Sequence, residues 1–231
     1  MSSSSKEVTK KMKNRDKWYG DAAEFWENVD PSVSGMLQGF ERISDIDVLG
    51  SKEFLKELQE ENILKSNLYR AADCGAGIGR VSKHFLMNHF EVVDIVEPCE
   101  KFSNEIHTYL ADEKLSSKVG KIFNEGLQTF TPKHKHYDVI WIQWVVGYLT
   151  DEDFVTFLLR CKEGLTDDGC IVIKDNLSRY SPVLDEEDSS VTRTYAGYLK
   201  IFDTAGMTLR KRVTQKDFPS QLFGVHMFAL T

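Results

Sequence analysis

Two clusters of residues in this chain have the types and spacing to do chemistry. The first is DCGAGIGR, residues 73–80, lying between an apolar run and a helical pattern. Gly75 and Gly77 let the backbone pass close to a bound ligand, and Gly79 allows tight packing of helix on strand. The G-x-G-x-G spacing, with Asp73 just before it, departs from the G-x-G-x-x-G dinucleotide fingerprint and matches the loop that binds S-adenosylmethionine. A carboxylate at Asp73 can reach a methionine ammonium, whereas a pyrophosphate wants a bare helix N-terminus. Glu97, 22 residues after Gly75, ends the next apolar run. That is where a carboxylate accepts both hydroxyls of a ribose, a task needing two acceptor oxygens. The second cluster is VLDEEDSSV, residues 183–191, with four carboxylates and two serines in nine positions. It holds a cationic group against a reactive centre, or it is a solvated loop whose acids favour the helix N-terminus expected at Val191, with Ser189 or Ser190 as cap.

Those clusters need a scaffold. YRAADC (69–74), EVVDIVEP (91–98), a strand within KVGKIFNEGL, YDVIWIQ (137–143) and DDGCIVIKDN read as near-continuous apolar strands. Helical patterns separate them: VSKHFLMNHF, KFSNEIHTYLADEKL and DEDFVTFLLRCKEGL. Such alternation predicts a parallel sheet covered on both faces, an α/β fold. Further on come a helix expected over 191–205, then MTLRKRV and the final strand GVHMFAL. Upstream, KWYGDAAEFWENV reads as a helix, and in DPSVSGMLQGF Asp30 before Pro31 suits an N-cap followed by proline at the first helical position. Another helix is expected over 50–62, with Ser51 as its cap.

Composition bounds the rest. The 231 residues are 41% hydrophobic and 28% charged, without an apolar run long enough to span a membrane. Four cysteines, Cys74, Cys99, Cys161 and Cys170, lie far apart in apolar surroundings and show neither a disulfide framework nor metal-ligand spacing. Residues 1–17 carry six Lys or Arg against two acids, leaving 23 basic and 34 acidic residues, net −11, in the remainder. An acidic body suits a basic partner better than a nucleic-acid backbone. Residues 1–16 are expected to be a disordered basic tail and 17–231 a single domain: helices over 17–65, then a catalytic core over 66–231 with a substrate loop at about 176–190.

AADCGAGIGRVSK, YDVIWIQWVVGYL, IVIKDN and LDEEDSSV, with SVSGMLQGF upstream, resemble the protein N-terminal methyltransferases. The similarity runs from about Trp18 to Leu230. It implies a class I, Rossmann-like methyltransferase with a seven-stranded, mostly parallel sheet and an N-terminal helical extension. The implied reaction moves methyl groups from S-adenosyl-L-methionine, leaving S-adenosyl-L-homocysteine, to the free α-amine of proteins beginning X-Pro-Lys or X-Pro-Arg after Met removal. It further implies a monomer acting in cytoplasm and nucleus, with ribosomal and chromatin proteins as partners. Carried over residue by residue, Gly75 and Arg80 match the cofactor loop, with Arg80 toward the methionine carboxylate. Glu97 matches the ribose acid, Leu127 and Gln128 the adenine segment, and Gln143 a residue near the methionine. Asn176, Asp185, Asp188 and Ser190 match substrate residues. Asn176 and Asp188 are expected around the α-amine, with Asp188 taking its proton. Tyr148 is able to hydrogen-bond the amine or a bridging water, while Asp185 pairs with the third-residue cation and Ser190 helps orient it. Trp26 and Trp144 match the aromatic walls around the substrate proline, although either could be plain core.

Three positions depart from the pattern. Tyr148 stands where relatives have His, Gln38 stands where they have Gly, and Phe223 stands where they have Tyr. A phenol with a pKa of about 10 is a poor base near neutrality, so the base role falls to Asp188. All three changes lie on the substrate side. Two other readings remain at this point: a class I methyltransferase for a different amine, since one fold hosts many chemistries, and a non-catalytic binder of basic N-termini.

Overall fold

The apolar runs pair into one twisted sheet. The computed structural model describes residues 5–65 and 68–231. Four helices come first: α1 (Ser5–Met12), α2 (Arg15–Asn28), α3 (Val33–Met36) and α4 (Ser44–Glu60). The core follows as β1 (Arg70–Cys74), α5 (Arg80–His84), β2 (Val92–Val96), α6 (Glu100–Tyr109), α7 (Glu113–Ser116), β3 (Val119–Phe123) and β4 (Tyr137–Gln143). It continues with α8 (Asp151–Gly164), β5 (Leu165–Leu177), β6 (Val183–Asp185), β7 (Ser190–Thr192), α9 (Tyr195–Thr204), β8 (Leu209–Thr214) and β9 (Gly224–Leu230).

Seven strands run in the order β3-β2-β1-β4-β5-β9-β8, parallel as far as β5, with β9 antiparallel to both its neighbours. Successive strands step outward in one direction from β1 and in the other from β4. The order therefore reverses between these two strands, and a ligand crevice opens beyond their carboxyl ends. Fully buried side chains line both faces, Ile140, Ile142 and Phe228 on one and Val93, Trp141 and Val172 on the other. Among the described residues no helix is long and apolar enough to cross a membrane.

Four local expectations are corrected. Residues 5–12 are helical rather than a disordered tail, because Val8 and Met12, four apart, form a stripe that packs with Trp18 and Val191. Charge and serine content hid that stripe. The helix expected from Val191 begins at Tyr195 with Thr194 as its cap, because Ser190–Thr192 pairs with Val183–Asp185 as a hairpin. Ser32, not Asp30, caps α3, accepting from the Gly35 amide at 3.0 Å. The helix placed at 50–62 is α4, and Ser51 lies inside it, its hydroxyl donating to the Asp47 carbonyl.

Candidate active site

A cleft of about 240 Å³ opens at the carboxyl ends of β1 and β4. Its wall contains all eight residues expected around the cofactor: Asp73, Gly75, Gly77, Arg80, Glu97, Leu127, Gln128 and Gln143. Trp26, Trp144 and Tyr148 line it as well. The loop after β1 needs its glycines. Gly75 and Gly77 have φ of +73° and +57°, and a Cβ on Gly75 would meet Val145 at 2.6 Å. A Cβ on Gly77 would strike the Met36 sulfur, which accepts from the Ile78 amide and so seats α3 on the loop.

The two strand-end acids are held differently. Asp73 is buried at the base of the loop, where its Oδ2 accepts from the amide and hydroxyl of Ser82 at 3.0 and 2.7 Å. Burial pushes it up to about 6, against the pull of Ser82 and Arg80. Glu97 accepts from the Gly77 amide at 2.8 Å and the Cys99 amide at 2.9 Å, and burial pushes it up to about 7. These amides keep its plane fixed while one face remains on the cleft. A carboxylate oriented in this way suits a diol, and Arg80, elsewhere in the cleft wall, suits a carboxylate. The glycine cradle, the two oriented acids and Arg80 together fit S-adenosylmethionine.

Arg80 belongs to a buried set of charges that the sequence reading missed. Its Nη1 is 2.9 Å from Asp47 of α4 and 3.2 Å from Ser44 Oγ, and its guanidinium lies over the Trp144 ring. Asp47 also meets Lys174 Nζ at 2.6 Å and accepts from Gln143 Nε2 with both oxygens. Burial would raise the Asp47 carboxyl, but Lys174 and Arg80 outweigh it and hold it below its usual value. Lysine inside the apolar run IVIKDN was the available signal, because a buried ammonium requires a partner.

On the acceptor side the hairpin β6–β7 brings scattered residues together. Asp185 lies directly opposite Ser190 in its register. Gly147, in a 3-10 turn spanning Val146–Tyr148, allows the hairpin to approach: a Cβ there would sit 3.2 Å from the Val191 carbonyl oxygen. Tyr148 then donates its hydroxyl to Asp188 Oδ2 at 2.7 Å. Asp188 is buried, its Oδ1 has no partner at hydrogen-bonding geometry among the described residues, and burial raises its pKa against the pull of Ser190 and Tyr148. The Tyr148 phenol is pushed up as well, by burial and the facing Asp188. Trp26 packs edge-on against Tyr148 at 6.1 Å. Trp144 takes φ of +54°, a strained conformation for a bulky residue, immediately after β4. Its Nε1 is buried without a partner.

Not every expected residue lines the cleft. Asn176, Asp185, Asp188 and Ser190 lie outside its wall, on the end of β5 and on the hairpin. Asp185 is exposed, as are Glu186 and Glu187. Phe223 is 43% exposed in the segment before β9 and takes no part in the wall.

A family profile described as AdoMet dependent proline di-methyltransferase matches residues 14–231. The chain belongs to this family. It is 42% identical over 223 residues to N-terminal Xaa-Pro-Lys N-methyltransferase 1-A of Xenopus laevis, covering 96% of this chain and 99% of that one. The enzyme named N-terminal Xaa-Pro-Lys N-methyltransferase 1 in Mus musculus is 43% identical over 213 residues, 92% of this chain and 95% of its own. A solved S-adenosylmethionine-dependent methyltransferase from Leishmania major superposes with a TM-score of 0.86 at 38% identity, over 93% of this chain and 83% of that one. The protein is thus an S-adenosylmethionine-dependent N-terminal protein methyltransferase of class I fold.

Proposed function

We propose that the protein methylates the α-amine of proteins beginning X-Pro-Lys or X-Pro-Arg, once the initiator Met is removed. The observation that carries this reading is the hairpin beside the cleft, with a buried carboxylate inward at Asp188 and an exposed one outward at Asp185. The relatives named for Xaa-Pro-Lys termini support it.

When bound, S-adenosylmethionine supplies an electrophilic methyl on a sulfonium. Arg80 would hold its carboxylate, Asp73 its ammonium and Glu97 its ribose hydroxyls, and Leu127 and Gln128 would border the adenine. Gln143, locked between Trp141 and Asp47, forms the floor. The peptide α-amine, with a pKa of about 7.7–8.0, loses a proton to Asp188 Oδ1, while Tyr148 holds the other oxygen. Freed of that proton, the nitrogen would present its lone pair to the methyl that the bound cofactor would supply, with the C–S bonding pair left on sulfur. Asn176 and Ser190 orient the terminus, and Asp185 pairs with the third-residue cation. Trp26 and Trp144 flank the rigid proline ring. Phe223 borders the outgoing peptide backbone by contact alone, without a hydroxyl. Positioning supplies most of the acceleration. We assign the activity to nucleus and cytoplasm, on ribosomal and chromatin proteins.

A peptide array read by mass tests the proposal. X-Pro-Lys peptides should gain methyl groups while their N-acetylated forms gain none. Good turnover of small amines with inert peptides would select a different methyltransferase, and cofactor binding without turnover would select a binding module.

A further inference from the structure

Arg80, Asp47 and Lys174 form one hydrogen-bonded set behind the cleft, 2%, 1% and 0% exposed, two cations against one anion. Buried Asp73 lies within electrostatic reach of Arg80 but makes its hydrogen bonds to Ser82. Lys174 Nζ has three acceptors: Asp47 Oδ1 at 2.6 Å, the Asp47 carbonyl at 2.7 Å and Ser51 Oγ at 3.0 Å. Three partners around one nitrogen match the three N–H donors of the ammonium, and although burial works against that charged form, Asp47 favours it. All its donors are used, and Lys174 is not in the cleft wall. Arg80 is different: it lines the cleft, and only its Nη1 has hydrogen-bond partners among the described residues. Arg80 and Asp47 alone would form a closed, neutral pair. Lys174 shifts that sum by one positive charge, and the group through which this charge reaches the cleft is the free edge of Arg80, which also faces the field of Asp73.

We propose that Lys174 is the counter-charge of Asp47, leaving the charge of Arg80 uncommitted for the carboxylate of the bound cofactor. The inference rests on the assignment of Arg80 to that carboxylate. Asp47 aims the guanidinium, and Lys174 prevents Asp47 from neutralising it. Lys174 is then a positioning residue for cofactor binding although it touches no ligand. It also fastens α4 to β5, which would be its whole role if it were merely structural.

The two roles separate by the choice of ligand. S-adenosylhomocysteine carries the carboxylate; 5′-methylthioadenosine has the same nucleoside without the amino-acid part. Calorimetric binding of both to the ligand-free protein is compared for the wild type, Lys174→Met, Asp47→Asn, the double variant and Arg80→Gln. Lys174→Met should weaken S-adenosylhomocysteine about tenfold or more relative to methylthioadenosine, the size of effect a neighbouring charge exerts on an ionised group. Asp47→Asn should not weaken that ratio, and the double variant, with one cation left, should restore it. Equal losses for both ligands in Lys174→Met, or a double variant as weak as the single, would overturn the inference. If Lys174→Met does not fold, a fall in the ratio in Asp47→Asn overturns it equally. An unchanged ratio in Arg80→Gln would show that the carboxylate assignment itself is wrong. A fall in Arg80→Gln with none in Lys174→Met would reject the counter-charge alone.

Discussion

Replacing Tyr148 by Phe isolates the Tyr148–Asp188 pair. In the wild type, Asp188 has one oxygen held by the phenol at 2.7 Å and the other without a partner, in a buried site. Phe keeps the ring that packs against Trp26 and removes only the donor. A hydrogen bond to a charged acceptor contributes about 1.5–3 kcal/mol, and one pKa unit corresponds to about 1.36 kcal/mol. The loss falls on the ionised form of Asp188, so its pKa should rise by about one to two units. If Asp188 takes the amine proton, it must be ionised in the enzyme–peptide complex. The acid limb of kcat should then move upward by that amount, because kcat reports groups in the complex. On the alkaline side of the limb the rate should stay within several-fold of wild type, since the carboxylate is still there and is a stronger base. The assay is kcat against pH from 5 to 9 with a saturating X-Pro-Lys peptide. An unmoved limb would mean that Asp188 is not the titrating group. A rate lost at every pH would mean that the phenol itself does chemistry.

Other consequences follow from the same geometry. Asp188→Asn should lose about 10²–10⁴ in turnover, the range for a general base, with the Kd of S-adenosylhomocysteine unchanged by calorimetry. Glu97→Gln should bind the cofactor poorly and leave either the Gly77 or the Cys99 amide facing an NH2 donor. The Glu97 carboxyl is raised from 4.5 to about 7, so its stabilising contribution is complete below pH 4.5 and lost as pH rises through 7. The stability of wild type relative to the variant should therefore fall by up to about 3 kcal/mol between pH 4.5 and 8, and a difference constant across pH would refute the assignment. Replacing Val8 and Met12 by Ser should loosen the hairpin β6–β7, raising the peptide KM and accelerating amide exchange over residues 183–192. The Kd for S-adenosylhomocysteine should stay put, and parallel changes in both constants would contradict a local role.

The cofactor half was legible because its signals are local. Asp73 and the three glycines lie within seven residues at a strand-to-helix junction, and Glu97 ends the next strand. Each can be read from apolar period and turn chemistry without knowing what packs against what. The strand order then brings them to one crevice. Val191 shows where this local reading fails. Val191, Tyr195, Tyr198 and Phe202 have helical spacing, but Ser190–Thr192 gains more as the partner of Val183–Asp185, closing the hairpin against Gly147. Asp47 failed for a similar reason: what tells it from an ordinary acid in a first helical turn is its distant partners Arg80, Gln143 and Lys174, the last 127 residues away.

The acceptor half depends on contacts of this long-range kind throughout. Trp18 of α2 donates to the Tyr148 carbonyl across 130 residues, Lys11 of α1 pairs with Glu186 across 175, and Val8 and Met12 pack with Val191. The hairpin carrying Asp185 and Asp188 is thus held from outside by the N-terminal helices, while the loop carrying Gly75 and Gly77 is held mainly through its backbone, its amides donating to the Val96 carbonyl, to Glu97 and to the Met36 sulfur. This difference explains the place of the three departures at Tyr148, Gln38 and Phe223. A change in the glycine loop meets backbone that cannot move, as Val145 against Gly75 illustrates. A change on the acceptor side meets side chains and a short hairpin that can shift together. Tyr148 demonstrates the outcome: it gives up the proton-accepting capacity of a neutral imidazole, but its hydroxyl still reaches Asp188. In the proposed reaction this leaves the base role to one carboxylate, Asp188.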